Sequence, residues 1–173
     1  MREPGRSRRP RRGGRARSDA ERRRLAQASR ERALDERSGD VVVWCDGGSR
    51  GNPGPAAFAY VLDVPGGRSV SASEAIGRAT VNVAELRAVL AALAHAGELG
   101  LRGVEVRLDA RLVAQQLAGE RTPRNPELRR LVEAVRQAAV AVRPVRYRWI
   151  PREANGRANA LVARVLGTAG ESA

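Results

Sequence analysis

Five apolar residues without a break, Val41-Val42-Val43-Trp44-Cys45, run straight into Asp46. So short a run, with no polar residue alternating through it, fits a central strand buried on both faces of a sheet. Gly47, Gly48, Gly51 and Gly54 follow with Pro53 and Pro55, and this density of turn formers calls for a tight loop directly after the acid. Residues 58–62 then read as a second strand and 69–76 as a third, joined into a hairpin at Pro65-Gly66-Gly67. Beyond them the periodicity changes. An Ala- and Leu-rich helix is expected over 83–96, a strand over 104–108 and a short helix over 111–117. Pro123 and Pro126 interrupt the chain, a helix follows over 127–140, residues 145–149 alternate as a half-buried strand, and a last helix covers 153–166. Every aromatic residue falls in a predicted strand. Three strands in an antiparallel meander, followed by strands alternating with helices, predict an α/β fold: a mixed five-stranded sheet with helices on its faces.

Composition divides the chain near residue 39. Residues 1–39 carry 14 arginines against 6 acids, and the remainder 18 against 13. From Arg2 to Arg17 the arginines are mixed with Gly, Pro and Ser and almost nothing apolar, which is the composition of a disordered basic arm. Ser18-Asp19-Ala20-Glu21 then reads as a capping box, but only Leu25 and Leu34 are large and apolar before Arg37, so a helix there would be mostly solvated. Residues 40–168 are expected to form the compact domain and 169–173 a short tail. At 42% apolar, a chain of 173 residues can bury a real core without staples.

The formal charge of +13, with every basic residue an arginine, points to a polyanionic partner, nucleic acid first. The lack of lysine also fits a GC-rich genome. The arm has two readings, a sequence-independent tether to phosphates or a tail that keeps the protein soluble. Cys45 is the lone cysteine, so no intramolecular disulfide can form and a reducing compartment fits. No stretch approaches the roughly 18 apolar residues of a membrane span, and the start of the chain has no apolar core of the secretory kind. A cytoplasmic monomer is expected.

The acids come next. Asp46 closes the first strand and Asp109 the fourth, so if those strands are neighbours both carboxylates emerge at one sheet edge, where α/β sheets hold ligands. Glu85, in the first turn of its expected helix, can be aimed at the same point. Singly, each acid has a plain explanation as a helix-start or turn residue. Clustered, the three repel one another unless cations neutralise them, and hard oxygen ligands suit Mg²⁺ or Mn²⁺.

Four segments carry a resemblance: Asp46-Gly47-Gly48-Ser49-Arg50-Gly51-Asn52-Pro53-Gly54, Thr80-Val81-Asn82-Val83-Ala84-Glu85, Leu108-Asp109-Ala110-Arg111-Leu112-Val113, and Trp149-Ile150-Pro151-Arg152-Glu153-Ala154-Asn155-Gly156-Arg157-Ala158-Asn159-Ala160-Leu161. In this order, over about residues 41–166, they resemble the motifs of the type 1 ribonuclease H family. The resemblance implies cleavage of the RNA strand of RNA/DNA hybrids with two divalent ions, Mg²⁺ or in its place Mn²⁺. It implies that Asp46 bridges both ions and that Glu85 and Asp109 hold the one at the leaving group. Asn159 stands where the family carries a fourth carboxylate. An amide oxygen can coordinate Mg²⁺ but adds no charge, so weaker metal occupancy, reduced activity or a shift toward Mn²⁺ is expected.

The resemblance further implies that Asn52 and Asn82 meet RNA 2′-hydroxyls in the minor groove, that Thr80 lies near a DNA-strand phosphate, and that the backbone of Gly48 and Ser49 approaches the duplex. Asn155 is expected in the same site, and Arg121 and Arg124 are candidate phosphate contacts. His95, the lone histidine, is expected to be an ordinary helix residue rather than the mobile His that some members use. The segment between the middle helices is too short for the basic protrusion of some relatives, a part the arginine-rich arm could play. Two other readings stand beside the enzyme: a non-cleaving hybrid- or RNA-binding module with a degenerate site, and a related polynucleotidyl transferase or exonuclease, which would lack the Gly-Asn-Pro-Gly loop.

Overall fold

The computed structural model describes residues 41–168, so the basic arm of residues 1–39, with its expected helix, and the tail of residues 169–173 lie outside the described residues. The apolar run opens β1 (Val41–Ser49), followed by β2 (Gly54–Val64) and β3 (Arg68–Ala79). Next come α1 (Val81–Glu98), β4 (Val104–Leu108), α2 (Arg111–Leu117), α3 (Pro126–Ala139), β5 (Val145–Trp149) and α4 (Gly156–Thr168). The five strands form one sheet in the order β3-β2-β1-β4-β5. Pairing is antiparallel from β1 to β2 and β2 to β3, and parallel from β1 to β4 and β4 to β5. The expected mixed sheet is therefore present, with β1 at its centre.

One face of this sheet carries the main core. Val41, Val43 and Cys45 of β1 and Val104, Val106 and Leu108 of β4 pack with Leu86, Val89 and Leu93 of α1 and with Val132 and Val135 of α3. Each fully buried Leu or Val contributes about 1.5–3 kcal/mol, and it is this face that fixes α1 over the sheet. On the other face a smaller cluster joins Ala57 and Ala59 of β2 to Val162 of α4. The two-sided burial expected of β1 fails there: Val42 and Trp44 are only half-buried. The guanidinium groups of Arg107, on β4, and Arg157, on the first turn of α4, cover the Trp44 ring at 5.1 and 5.3 Å. Glu105, buried on β4, is charge-paired with Arg107 at 2.7 Å and with Arg148 at 3.7 Å, as a carboxylate taken out of water requires.

Element ends follow local chemistry. Thr80 caps α1, its Oγ1 accepting from the Val83 amide at 3.3 Å, so that helix begins two residues earlier than expected. Asn125 caps α3 through Oδ1, with Pro126 at the first helical position. The last helix does not begin at 153: a 3₁₀ turn over Arg152–Asn155 precedes α4. Among the described residues no helix is long and apolar enough to cross a membrane.

Candidate active site

Asp46 stands on β1 one residue beyond its parallel pairing with β4, which ends where Cys45 pairs with Leu108. Asp109 follows Leu108 directly, so the two carboxylates come together at the carboxyl end of the parallel ladder, while β1 itself runs on to Ser49. Glu85 arrives from α1 and is the fifth residue of that helix, not in its first turn as expected. One turn further in, it faces the sheet, which is why it is 2% exposed. Asp46, Glu85 and Asp109 each offer an oxygen within 4.8 Å of the others.

Gly47 makes this approach possible. A Cβ there would lie 2.2 Å from the Glu85 nitrogen and 2.4 Å from the Ala84 carbonyl carbon, closer than backbone atoms can tolerate. The glycines after Asp46 are thus not yet the loop expected from composition. Gly47 and Gly48 continue β1, paired with Phe58 and Ala57. A Cβ at Gly48 would lie 2.8 Å from Cγ1 of Val162, so the second glycine admits α4 as the first admits α1.

Burial and mutual repulsion set the electrostatics. Desolvation, then the charge of Asp109, raises the Asp46 pKa from 3.8 to about 6, against the lowering effects of Arg152 and the Gly47 amide. Glu85 is pushed well above the carboxylate range by burial, then by Asp46 and Asp109. Cys45 is likewise raised by burial and the adjacent acids, so it sits as an inert thiol beneath the site. Oδ1 of Asp46 and Oε2 of Glu85 are buried with no hydrogen-bond partner. Buried acceptor oxygens left bare in a carboxylate cluster match the needs of a hard divalent cation.

Asn159 joins through its amide. Its Nδ2 donates to the Arg152 carbonyl at 3.1 Å, and its Oδ1 is buried and unpartnered. Arg152 in turn donates from Nη1 to Oδ2 of Asp109 at 3.3 Å. Spacing alone did not single out Gly47 or Arg152. A glycine after a strand-end acid reads first as a turn, and one arginine among 32 basic residues carries no signal.

The remaining candidates fall into three groups. Ser49, Asn52, Thr80 and Asn82 meet where the β1–β2 loop reaches the start of α1: Asn52 Oδ1 accepts from the Val81 amide at 3.1 Å, and Ser49 Oγ donates to the Ala79 carbonyl at 3.1 Å. Arg121 and Arg124 are exposed between α2 and α3. Asn155 is fully buried, its Nδ2 donating to the Cys45 carbonyl at 2.8 Å and so tying the turn before α4 to β1, while its Oδ1 is buried without a hydrogen-bond partner. His95 lies on α1 with its Nδ1 2.7 Å from the Tyr60 hydroxyl.

Fold and site together are those of the ribonuclease H-like class. A family profile described as reverse transcriptase-like matches residues 44–165. The chain is 40% identical to the ribonuclease HI of Halobacterium salinarum over 135 residues, 78% of this chain and 68% of that protein. It is 39% identical to the bifunctional protein Rv2228c of Mycobacterium tuberculosis over 77% of its own length, but spans only 37% of that relative. The solved N-terminal RNase H domain of Rv2228c superposes with a TM-score of 0.73 at 37% identity, covering 78% of this chain and 99% of that one. The structure of LC11-RNase H1 in complex with an RNA/DNA hybrid gives 0.67 at 32% identity, over 72% and 95%. The chain belongs to the type 1 ribonuclease H family.

Proposed function

We propose that this chain hydrolyses the RNA strand of RNA/DNA hybrids as an endonuclease. The observation that carries this reading is the trio of carboxylates within 4.8 Å of one another, on β1, on α1 and just after β4, two of them with bare buried oxygens. Asp46, Glu85, Asp109 and the amide oxygen of Asn159 would hold Mg²⁺, or Mn²⁺ in its place. Bound there in a pair, such ions lower the pKa of a water and stabilise the leaving oxygen in an in-line displacement. The chain's own groups orient. Asn52 and Asn82, set at the start of α1, are placed to test for the 2′-hydroxyls that distinguish RNA from DNA. Thr80, Gly48 and Ser49 border the same groove, Arg121 and Arg124 add phosphate contacts, and the arginine-rich arm adds a sequence-independent hold on the duplex. That hybrid is bound by LC11-RNase H1, at 32% identity, supports the substrate class. A cytoplasmic monomer completes the reading.

Asn159 favours a second reading, a module that binds hybrid without cutting it, because the amide leaves three carboxylates where four are usual in the family. Cleavage of a strand-labelled hybrid in Mg²⁺ and in Mn²⁺ separates the two, with Asn159→Asp alongside and Asp46→Asn as blank. Cutting confined to the RNA strand, stronger in Mn²⁺, is the expected result. Parent and Asn159→Asp both at the level of the blank, with hybrid still bound, would establish the binding module instead.

A further inference from the structure

The site has an asymmetry of charge. Three carboxylates converge, the fourth position is a neutral amide, and a guanidinium rests on one of the three acids. We propose that Arg152 is a phosphate-contacting residue of this site, whose guanidinium leaves Asp109 for the scissile phosphate when hybrid binds. The inference rests on the hybrid-nuclease reading above.

The backbone of Arg152 is tied down on two sides, while its side chain lies largely in solvent. Ile150, buried, donates to the Leu108 carbonyl at 3.0 Å, and the Arg152 carbonyl is held by Nδ2 of Asn159 at 3.1 Å. The root of the side chain is thus tied both to the end of β4 and to α4. The side chain itself is 70% exposed, while the Asp109 side chain that it touches is 6% exposed. At 3.3 Å the contact uses a single guanidinium nitrogen and is longer than a charge-assisted pair at its best. An exposed single-point ion pair of this kind is worth little and exchanges readily. A phosphate offers the planar fork two oxygens and a bidentate fit. In the resting chain Arg152 serves as a built-in counter-cation to Asp109.

Asn159 belongs to the same device. Its amide reaches the Arg152 carbonyl because it has a donor to give; a carboxylate at 159 has none, and would draw the guanidinium to itself. The amide therefore keeps the arginine available for phosphate.

The test measures binding, not turnover. Affinity of the full chain for a labelled RNA/DNA hybrid is followed against salt in Ca²⁺, which takes oxygen ligands at longer distances than Mg²⁺, for the parent, Arg152→Gln and Arg152→Lys. Mn²⁺ affinity is measured separately by calorimetry. Arg152→Gln is expected to bind hybrid about 3- to 10-fold more weakly at low salt, with a salt slope smaller by about one. Arg152→Lys should restore the slope but only part of the affinity, and Mn²⁺ should bind Arg152→Gln as tightly as the parent or more so. An unchanged salt slope in Arg152→Gln overturns the proposal. So does weaker Mn²⁺ binding by that variant, which would make Arg152 only a prop for Asp109. A parent that binds no hybrid overturns the nuclease reading itself.

Discussion

Asp46 makes the folded chain less stable so that a cation can make it more so. Its pKa rises from 3.8 to about 6 on folding, so between these values the folded state holds more protons than the unfolded one. In the absence of metal its stabilising effect is therefore complete below pH 3.8 and lost as the pH rises through 6. At neutral pH the buried charge costs about 3 kcal/mol, and Asp46→Asn should recover on the order of 2–3 kcal/mol while abolishing cleavage. Thermal unfolding in EDTA at pH 5 and pH 7 checks this: the variant should gain over the parent at pH 7 and gain less at pH 5. Gly47 works in the opposite sense. A methyl group there meets the backbone of Ala84 and Glu85, which cannot rotate away. Gly47→Ala is expected to lose on the order of 3 kcal/mol in urea denaturation, and to weaken Mn²⁺ binding by parting Glu85 from Asp46.

The two helices that bring ligands to the strand ends are held unequally. Leu86, Val89 and Leu93 seat α1 in the main core, whereas α4 rests on the small cluster of Ala57, Ala59 and Val162. Amide hydrogen exchange should show it: protection in α1, β1 and β4 near the global limit, with α4 opening earlier and carrying Asn159 with it. Equal protection in α1 and α4 would refute this ranking. The same contrast explains what the sequence disclosed. β4 and β5 were legible residue for residue because apolar alternation and flanking turns coincide there. β1 and β2 run longer than composition suggests, because Gly47 and Gly48 are strand residues whose missing side chains make room for helices, a tertiary demand invisible in local pattern. β3 extends past its expected end through Ala79 on an exposed edge, where burial writes no alternation. The three acids were legible because each lies close to the end of an apolar run or the start of a helix, although Asp46 stands inside β1 and Glu85 one turn into α1. The buried tie from Asn155 to the Cys45 carbonyl left no mark in local pattern, and Arg152 was hidden by abundance.

Across the whole molecule, charge and chemistry are divided. The compact domain carries the carboxylates, and residues 1–39 carry 14 arginines. A chain lacking residues 1–39 should keep its cleavage pattern on short hybrids yet bind them more weakly and with a shallower salt slope, each lost phosphate contact removing about 0.7–0.9 from it. An unchanged slope would leave the arm as a solubility tail. The order of the ligands along the chain has one more consequence. Asp46, Glu85 and Asp109 come from β1, α1 and the end of β4, and Asn159 from the last helix, so the constellation spans nearly the whole domain. During synthesis residues 1–39 leave the ribosome before the domain that follows them, and the last of the four ligand positions only with α4. Until that helix has docked on β1 and β2 no part of the chain holds the full set, so the site is completed only as the domain closes.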